Sequence, residues 1–97
     1  MNDFNPFLNR IVCAANLYRD GTVIVGARHF DSVMRTTMNL INPDISHWKK
    51  LGHEQGFIDK FGNFHSREES KKIAEEAGQI VRRCGGDETE LFSENLY

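Results

Sequence analysis

The segment Arg28-His29-Phe30-Asp31 concentrates side chains that are suited to binding a phosphorylated ligand. An arginine donates two parallel hydrogen bonds to a phosphate, a histidine adds another donor, and an aromatic ring offers a stacking surface for a base. The segment lies where a predicted strand gives way to a predicted helix, whose first backbone N–H groups attract anions. Arg35 follows about one helical turn later. The alternative is that Arg28 pairs with Asp31 or with a carboxylate near the end of the chain, and that Phe30 belongs to the core.

A second group of polar donors beside an aromatic ring lies at residues 53–57, HEQGF. His53 and Gln55 precede Phe57, whose ring is another surface on which a base can stack. The alternative is an ordinary strand start with a glycine bulge. The candidate ligand-binding residues are therefore Arg28, His29, Phe30, Arg35, His53, Gln55 and Phe57.

Paired glutamates on a predicted helix, Glu75 and Glu76, resemble the end of a Nudix box, in which glutamates bind a divalent metal for diphosphate hydrolysis. The match fails, because Lys71 and Lys72 stand where that motif has Arg and Glu, and Asn63 stands where it has an upstream Glu. Lysines in place of carboxylates remove the metal site. Glutamates with lysines nearby are typical of a solvated helix face.

No other set of residues predicts catalysis or a bound metal. His47 and His53 are six residues apart, and the chain has neither a CxxC nor an HExxH motif. Cys13 lies in an apolar predicted strand, where a buried and inert thiol is the usual state. We therefore predict no catalytic residue, no metal site, no cofactor and no enzymatic activity. The two cysteines, without a close-spaced pattern, indicate reduced thiols.

A hairpin must position the first candidate segment. Strands are predicted at residues 11–18 and 22–29, because Asp20-Gly21 between two β-prone runs is a strong hairpin signal. Gly26 has no side chain, so a helix or a ligand can approach the second strand there.

A helix is predicted to follow this hairpin. Asp31 is a suitable N-cap, and Pro43 ends the helix because proline disfavours helical geometry in the residue before it. The apolar residues that recur at helical spacing are Val33, Met34, Met38 and Ile41. Residues 43–52 are predicted to be a loop or a short helical turn.

A second, shorter hairpin and a second helix are predicted further along the chain. Residues 57–59 and 63–65 form the strands, with Gly62 in the turn. Ser66 and Glu69 have the spacing of a capping box, which predicts a helix start. The buried stripe of this helix is predicted to consist of Ile73, Ala77, Ile80 and Val81. A glycine-rich acidic loop follows over residues 82–90.

These elements predict one α+β domain over residues 1–97, in which residues 1–9 are an irregular arm. Two hairpins that are each followed by a helix favour an antiparallel sheet with two helices packed on one face. The apolar tail, residues 91–97, is expected to dock, and docking onto a neighbouring subunit is one option. Because the first hairpin is apolar on both sides, the second sheet face is expected to be uncovered, which favours a homo-oligomer.

Composition and charge argue against two classes of partner. The chain has 97 residues, a net charge of −2 and 39% hydrophobic residues, which predicts an ordinary globular domain that does not bind DNA. No apolar run approaches the roughly 20 residues of a membrane span, and we expect no secretory signal. Residues 28–53 carry a charge of +2 and residues 54–97 a charge of −4, which favours an anion site in the middle of the chain. Chance is the alternative.

In their order and spacing, four segments resemble the first Thoeris anti-defence family, phage proteins that sequester nucleotide signals. The segments are residues 26–31 (GARHFD), 54–59 (EQGFID), 64–80 (FHSREE through IA to AGQI) and 91–97 (LFSENLY). The resemblance covers roughly residues 10–97.

The resemblance implies a protein in the cytoplasm of an infected bacterium that binds cyclic ADP-ribose isomers, made by TIR-domain enzymes, without cleaving them. Some members also hold cyclic oligonucleotides of the CBASS pathway at a separate site. The family assembles as dimers and larger oligomers such as hexamers, with pockets at subunit contacts. The Arg-His-Phe and Gln-Gly-Phe segments are then expected to line a pocket. The alternative is a small phage protein-interaction or structural module with no nucleotide ligand.

Overall fold

The computed structural model describes residues 8–96, so residues 1–7 of the predicted arm and Tyr97 lie outside the described residues. The predicted α+β class and the antiparallel sheet built from two hairpins are confirmed. Within the described range the strands are β1 (Ile11–Tyr18), β2 (Val23–Gly26), β3 (His53–Asp59) and β4 (Phe64–Ser66). The α-helices there are α1 (Ser32–Ile41), α2 (Ile45–Leu51) and α3 (Arg67–Glu76), and a 3₁₀ helix spans Ser93–Asn95.

The two hairpins lie side by side, because β1 pairs with β3 and gives the sheet the order β2-β1-β3-β4. Gly21 has φ +91°, as the Asp-Gly turn requires. Strand β2 ends at Gly26, before the predicted residue 29, because helix α1 approaches the chain there. A Cβ on Gly26 would lie 2.5 Å from Asp31 Oδ1 and 2.9 Å from Met34 Cγ. The predicted close approach at this glycine is therefore confirmed, and the approaching element is a helix.

Helix α1 begins where its predicted cap stands. Asp31 Oδ1 accepts a hydrogen bond from the backbone N–H of Met34 at 2.9 Å. Met34 and Met38 are buried, but Val33 and Ile41 are 55% and 56% exposed. Only the two methionines of the predicted apolar stripe therefore face the core, and the rest of the stripe lies on the outer surface of the helix.

Residues 45–51, predicted to be a loop or a short helical turn, form helix α2. Asp44 caps it by accepting a hydrogen bond from Ser46 N at 2.9 Å. Trp48 is buried, and its indole Nε1–H donates to the carbonyl of Asn42 at 2.8 Å. A helix this short has little stability of its own, so the packing of Trp48 accounts for it.

The capping box of helix α3 is confirmed. Glu69 N donates to Ser66 Oγ at 3.2 Å, and Ser66 N donates to Glu69 Oε1 at 3.2 Å. The helix ends at Glu76, before Ile80 and Val81. Val81 is 66% exposed, so its predicted place in the buried stripe is wrong.

The core lies between the helices and one face of the sheet. Its buried members include Tyr18, Ile24, Met34, Trp48, Phe57, Ala74 and Leu91. Val23 and Val25 alternate with buried Ile24 and therefore point to the opposite face, where they are 42% and 37% exposed. We call this surface the valine face. It has the uncovered apolar character that the first hairpin predicts.

The tail docks onto its own chain. Leu91 is fully buried in the core, Asn95 is fully buried, and Leu96 packs against the same cluster. Leu91 is therefore covered by its own chain, and docking of the tail onto a neighbouring subunit stays a prediction. No helix within residues 8–96 is long and apolar enough to cross a membrane.

Candidate functional site

A cleft of about 700 Å³ opens between α1, α2 and the adjoining ends of β1 and β3. Its volume lies within the range of roughly 300–1,000 Å³ that is usual for sites of small molecules. The residues that line it are Tyr18, Phe30, Arg35, Met38, Asn39, Pro43, Ile45, Trp48, Lys49 and His53. Three of the predicted ligand-binding residues are thereby brought together from distant parts of the chain.

Aromatic rings form one continuous wall of this cleft. The His53 ring lies between Tyr18 and Phe30, with centroid distances of 5.2 Å and 5.4 Å. Trp48 meets Tyr18 edge to face at 4.8 Å. Because these rings hold one another in place, the wall is assembled before any ligand arrives, which lowers the entropy lost on binding.

Phe30 enters this wall through an unusual backbone conformation. Its φ is +57°, in the left-handed region that bulky residues rarely adopt. Such a residue costs about 1–3 kcal/mol and persists only where its surroundings hold it, and these residues concentrate at functional sites. Here the backbone N–H of Phe30 contacts Met34 Sδ at 3.1 Å, and Asp31 caps the helix that follows.

Two cations face the cleft from different helices. Arg35 and Asn39 are four residues apart on α1, so their side chains share one face of that helix. Lys49 follows Trp48 on α2, and both cations are exposed to solvent. Because no Asp or Glu is among the described residues that line the cleft, its charge favours an anionic ligand.

Burial lowers the pKa of His53 below its usual value. The ring is therefore mainly neutral at pH 7 and acts there as an aromatic surface. An anion bound beside it would favour its protonated form, so His53 can add a third positive charge when the cleft is occupied.

The other predicted residues form a separate group around Arg67. His29 Nε2 lies 2.8 Å from the carbonyl oxygen of Gly56, and its ring meets Phe57 edge to face at 5.2 Å. Arg67 donates to Gln55 Oε1 at 2.6 Å. Phe57 is completely buried, so its ring serves the core and has no surface on which a base could stack. Of the residues in this group, Arg67 was interpreted only as part of a helix start.

Arg28 lies at the start of α1, outside the cleft. Its backbone N–H donates to Asp31 Oδ2 at 3.1 Å, while Asp31 Oδ1 accepts from Met34 N. The Asp31 carboxylate therefore occupies the position at this helix start that a phosphate would take. The side chain of Arg28 is exposed, and its role in binding stays a prediction.

The family model of the phage T4 y16D protein matches residues 10–97. The chain belongs to this phage family. The match confirms the phage origin that the resemblance implied, over the same residues. No curated protein and no solved structure matches the chain.

Seven residues of this phage protein's cleft are absent from the predicted site: Tyr18, Met38, Asn39, Pro43, Ile45, Trp48 and Lys49. Trp48 and Lys49 were missed because residues 43–52 were predicted as a loop or a short helical turn, although Ile45, Trp48 and Lys49 have the spacing of one helix face. Tyr18 and Asn39 carry no local signal, since only the packing of α1 across the sheet brings them together. No group of three His, Cys, Asp or Glu side chains within residues 8–96 is arranged to hold a metal ion.

Proposed function

We propose that this phage protein binds and sequesters cyclic nucleotide immune signals, namely cyclic ADP-ribose isomers made by TIR-domain enzymes, and does not cleave them. The observation that carries the proposal is the cleft, which combines a wall of aromatic rings with two cationic side chains and, within residues 8–96, has no carboxylate in its lining. The family resemblance of segments 26–31 and 54–59 supports the same ligand class. The site of action is then the cytoplasm of the infected bacterium, where the signal is made.

The chemistry of the cleft matches the parts of such a ligand. A base can stack on the accessible part of the wall, which His53 and Phe30 provide, and stacking contributes about 1–3 kcal/mol per base. Arg35 and Lys49 can pair with phosphates, and hydrogen bonds to charged groups contribute roughly 1.5–3 kcal/mol each when sheltered and less when exposed. The lining contains no Ser, Cys, Asp or Glu among the described residues, which favours storage of the ligand over its hydrolysis.

Self-association belongs to the same proposal. The valine face exposes apolar side chains on one side of the sheet, and Leu40 and Ile45 are 82% and 67% exposed near the rim of the cleft. Exposed apolar patches usually mark interfaces. A homo-oligomer, a dimer or a hexamer, would cover these surfaces and close the open side of the cleft over its ligand.

An uptake experiment tests the function directly. The purified protein is mixed with a cyclic ADP-ribose isomer, separated from excess ligand and heated, and the released compound is analysed by chromatography. Recovery of the intact isomer is the expected result. A changed product would indicate an enzyme, and no uptake would reject the proposal; a parallel arm with cyclic oligonucleotides tests for a second type of ligand.

Variants then locate the site. We expect Arg35→Ala to weaken binding about tenfold in calorimetry, in line with the loss of one charged hydrogen bond. Arg28→Ala is expected to weaken it less, because Arg28 lies outside the cleft. Lys72→Ala removes a charge from the exposed surface of α3 and is the matched control. Equal affinities of the Arg35 and Lys72 variants would show that the ligand does not bind in the cleft.

A specific observation also favours the alternative function, a protein-interaction module. The valine face is apolar and exposed whether or not the cleft binds a nucleotide. If no nucleotide is taken up and a Val25→Lys variant keeps its fold but no longer binds a phage or host protein, the interaction module becomes the better account.

A further inference from the structure

Arg67 joins four separate parts of the chain. It is the first residue of α3, and its Nη1–H donates to the carbonyl of Leu91 in the tail at 2.7 Å. Its Nη2 donates to Gln55 of β3 at 2.6 Å and lies 3.5 Å from His29 Nδ1. The guanidinium also stacks over the ring of Phe92, 4.7 Å from its centroid. Such a set of contacts holds the side chain in one position.

The hydrogen bonds of His29 fix its protonation state. The carbonyl of Gly56 can only accept, so His29 Nε2 carries the proton and donates at 2.8 Å. The lone pair of Nδ1 is then left facing Arg67. A second proton on Nδ1 would point at a guanidinium, so the arrangement requires a neutral imidazole.

His29 directly precedes Phe30 in the chain, and Phe30 is the residue whose left-handed backbone conformation places its ring in the cleft wall. The two side chains point in different directions. His29 contacts Gly56 and Arg67, whereas Phe30 contacts His53. The strained turn between them persists only if both neighbours are held. Asp31 fixes the C-terminal side of this turn by capping α1, and His29 fixes the N-terminal side through its hydrogen bond to Gly56.

We propose that Arg67 is a positioning residue for the cleft: through neutral His29 it fixes the turn that holds Phe30 in the aromatic wall. The proposal rests on the proposed function where ligand affinity is concerned. The position of the Phe30 ring is a property of the protein without ligand and can be measured independently.

The arrangement makes ligand binding sensitive to acid. The charged groups that face His29 are Arg67 from α3 and Glu94 from the 3₁₀ helix, while β1 and β3 present backbone and the Phe57 ring. Burial first, and then the charge of Arg67, lowers the pKa of His29. Neutral His29 therefore prevails above the usual histidine value of about 6.5, and protonation weakens the turn as the pH falls below it. Protonation of His53 acts in the opposite direction, because it adds positive charge to the cleft.

The test combines NMR of the unliganded protein with binding of a cyclic ADP-ribose isomer. Wild-type protein is expected to show cross-peaks between the Phe30 and His53 rings, whose centroids are 5.4 Å apart. In Arg67→Lys, which keeps the charge but loses the planar fork, these cross-peaks should weaken and the affinity should fall by roughly 3- to 30-fold. Arg82→Lys makes the same substitution at an exposed side chain and is the control.

A second variant separates positioning from general loss of structure. His29→Gln can still donate to Gly56 but cannot take up a proton, so its affinity should no longer fall as the pH drops below about 6.5. If Arg67→Lys keeps the cross-peaks and the affinity, or if His29→Gln retains the acid loss, the proposal is wrong. If wild-type protein binds no isomer, the proposed function fails, and the cross-peaks alone still decide whether Arg67 positions Phe30.

Discussion

Three glycine-to-alanine substitutions test the close contacts that place α1 and β4 on the sheet. None of the three positions, Gly26, Gly56 and Gly85, has a positive φ, so alanine can adopt each backbone conformation. The variants therefore share the entropic gain of about 0.4–1 kcal/mol that alanine brings by restricting the unfolded chain. They differ only in what the added methyl group meets.

The expected order follows from the distances. At Gly85 the methyl meets nothing within 4 Å, so the free energy of unfolding should rise by a few tenths of a kcal/mol. At Gly26 it would lie 2.5 Å from Asp31 Oδ1 and displace the α1 cap. Loss of a cap and local overpacking together cost about 2–3 kcal/mol, which lowers Tm by roughly 10–20 °C in a domain of this size. At Gly56 the methyl would clash with the backbone carbonyl of His65, so β3 and β4 must separate, at a cost of about 3 kcal/mol or more.

Urea unfolding monitored by circular dichroism measures all three values. We expect stability to decrease in the order Gly85→Ala, Gly26→Ala, Gly56→Ala. Because Asp31 follows the strained turn at Phe30, Gly26→Ala should also weaken ligand binding in the fraction that remains folded. Stability of Gly26→Ala within about 0.5 kcal/mol of Gly85→Ala would show that α1 does not lie against β2 as described.

Two further predictions concern the loop over residues 82–90 and the valine face. Hydrogen bonds from Arg83 and then from Cys84 N hold the pKa of Asp87 well below its usual value. The stability that Asp87 contributes is therefore present above about pH 4 and lost as the pH falls further. In Asp87→Asn the free energy of unfolding, measured by fluorescence, should fall less steeply with pH below about pH 4. An unchanged pH dependence in this variant would contradict the prediction. Val25→Lys should shift an oligomer toward the monomer in light scattering without changing the circular dichroism spectrum, whereas Val81→Lys, at another exposed valine, should not.

Local signals in the sequence predicted the parts of the fold that depend on local chemistry. The Asp20-Gly21 turn, the Asp31 cap and the Ser66 capping box each satisfy backbone groups within a few residues, so they can be recognised from spacing alone. Helix α2 was predicted only as a loop or a short helical turn, because its stability comes from the burial of Trp48. The exposed side of α1 was mispredicted for a related reason: apolar spacing indicates a helix face without saying what covers it.

The candidate site was predicted only in part, for a reason that lies in one dihedral angle. His29 and Phe30 were grouped because they are adjacent, at the point where a predicted strand gives way to a predicted helix. In the structure Phe30 has a φ of +57° and its ring lies in the cleft, while His29 lies against Gly56 and Arg67. Because only tertiary contacts can hold a bulky residue in this conformation, the direction of Phe30 depends on the whole packed domain. A change in the contacts that Arg67 makes with the tail, β3 and His29 is therefore transmitted to the cleft through the peptide unit between His29 and Phe30. The shape of the cleft is then a sensitive measure of how the tail, β3 and α3 are packed.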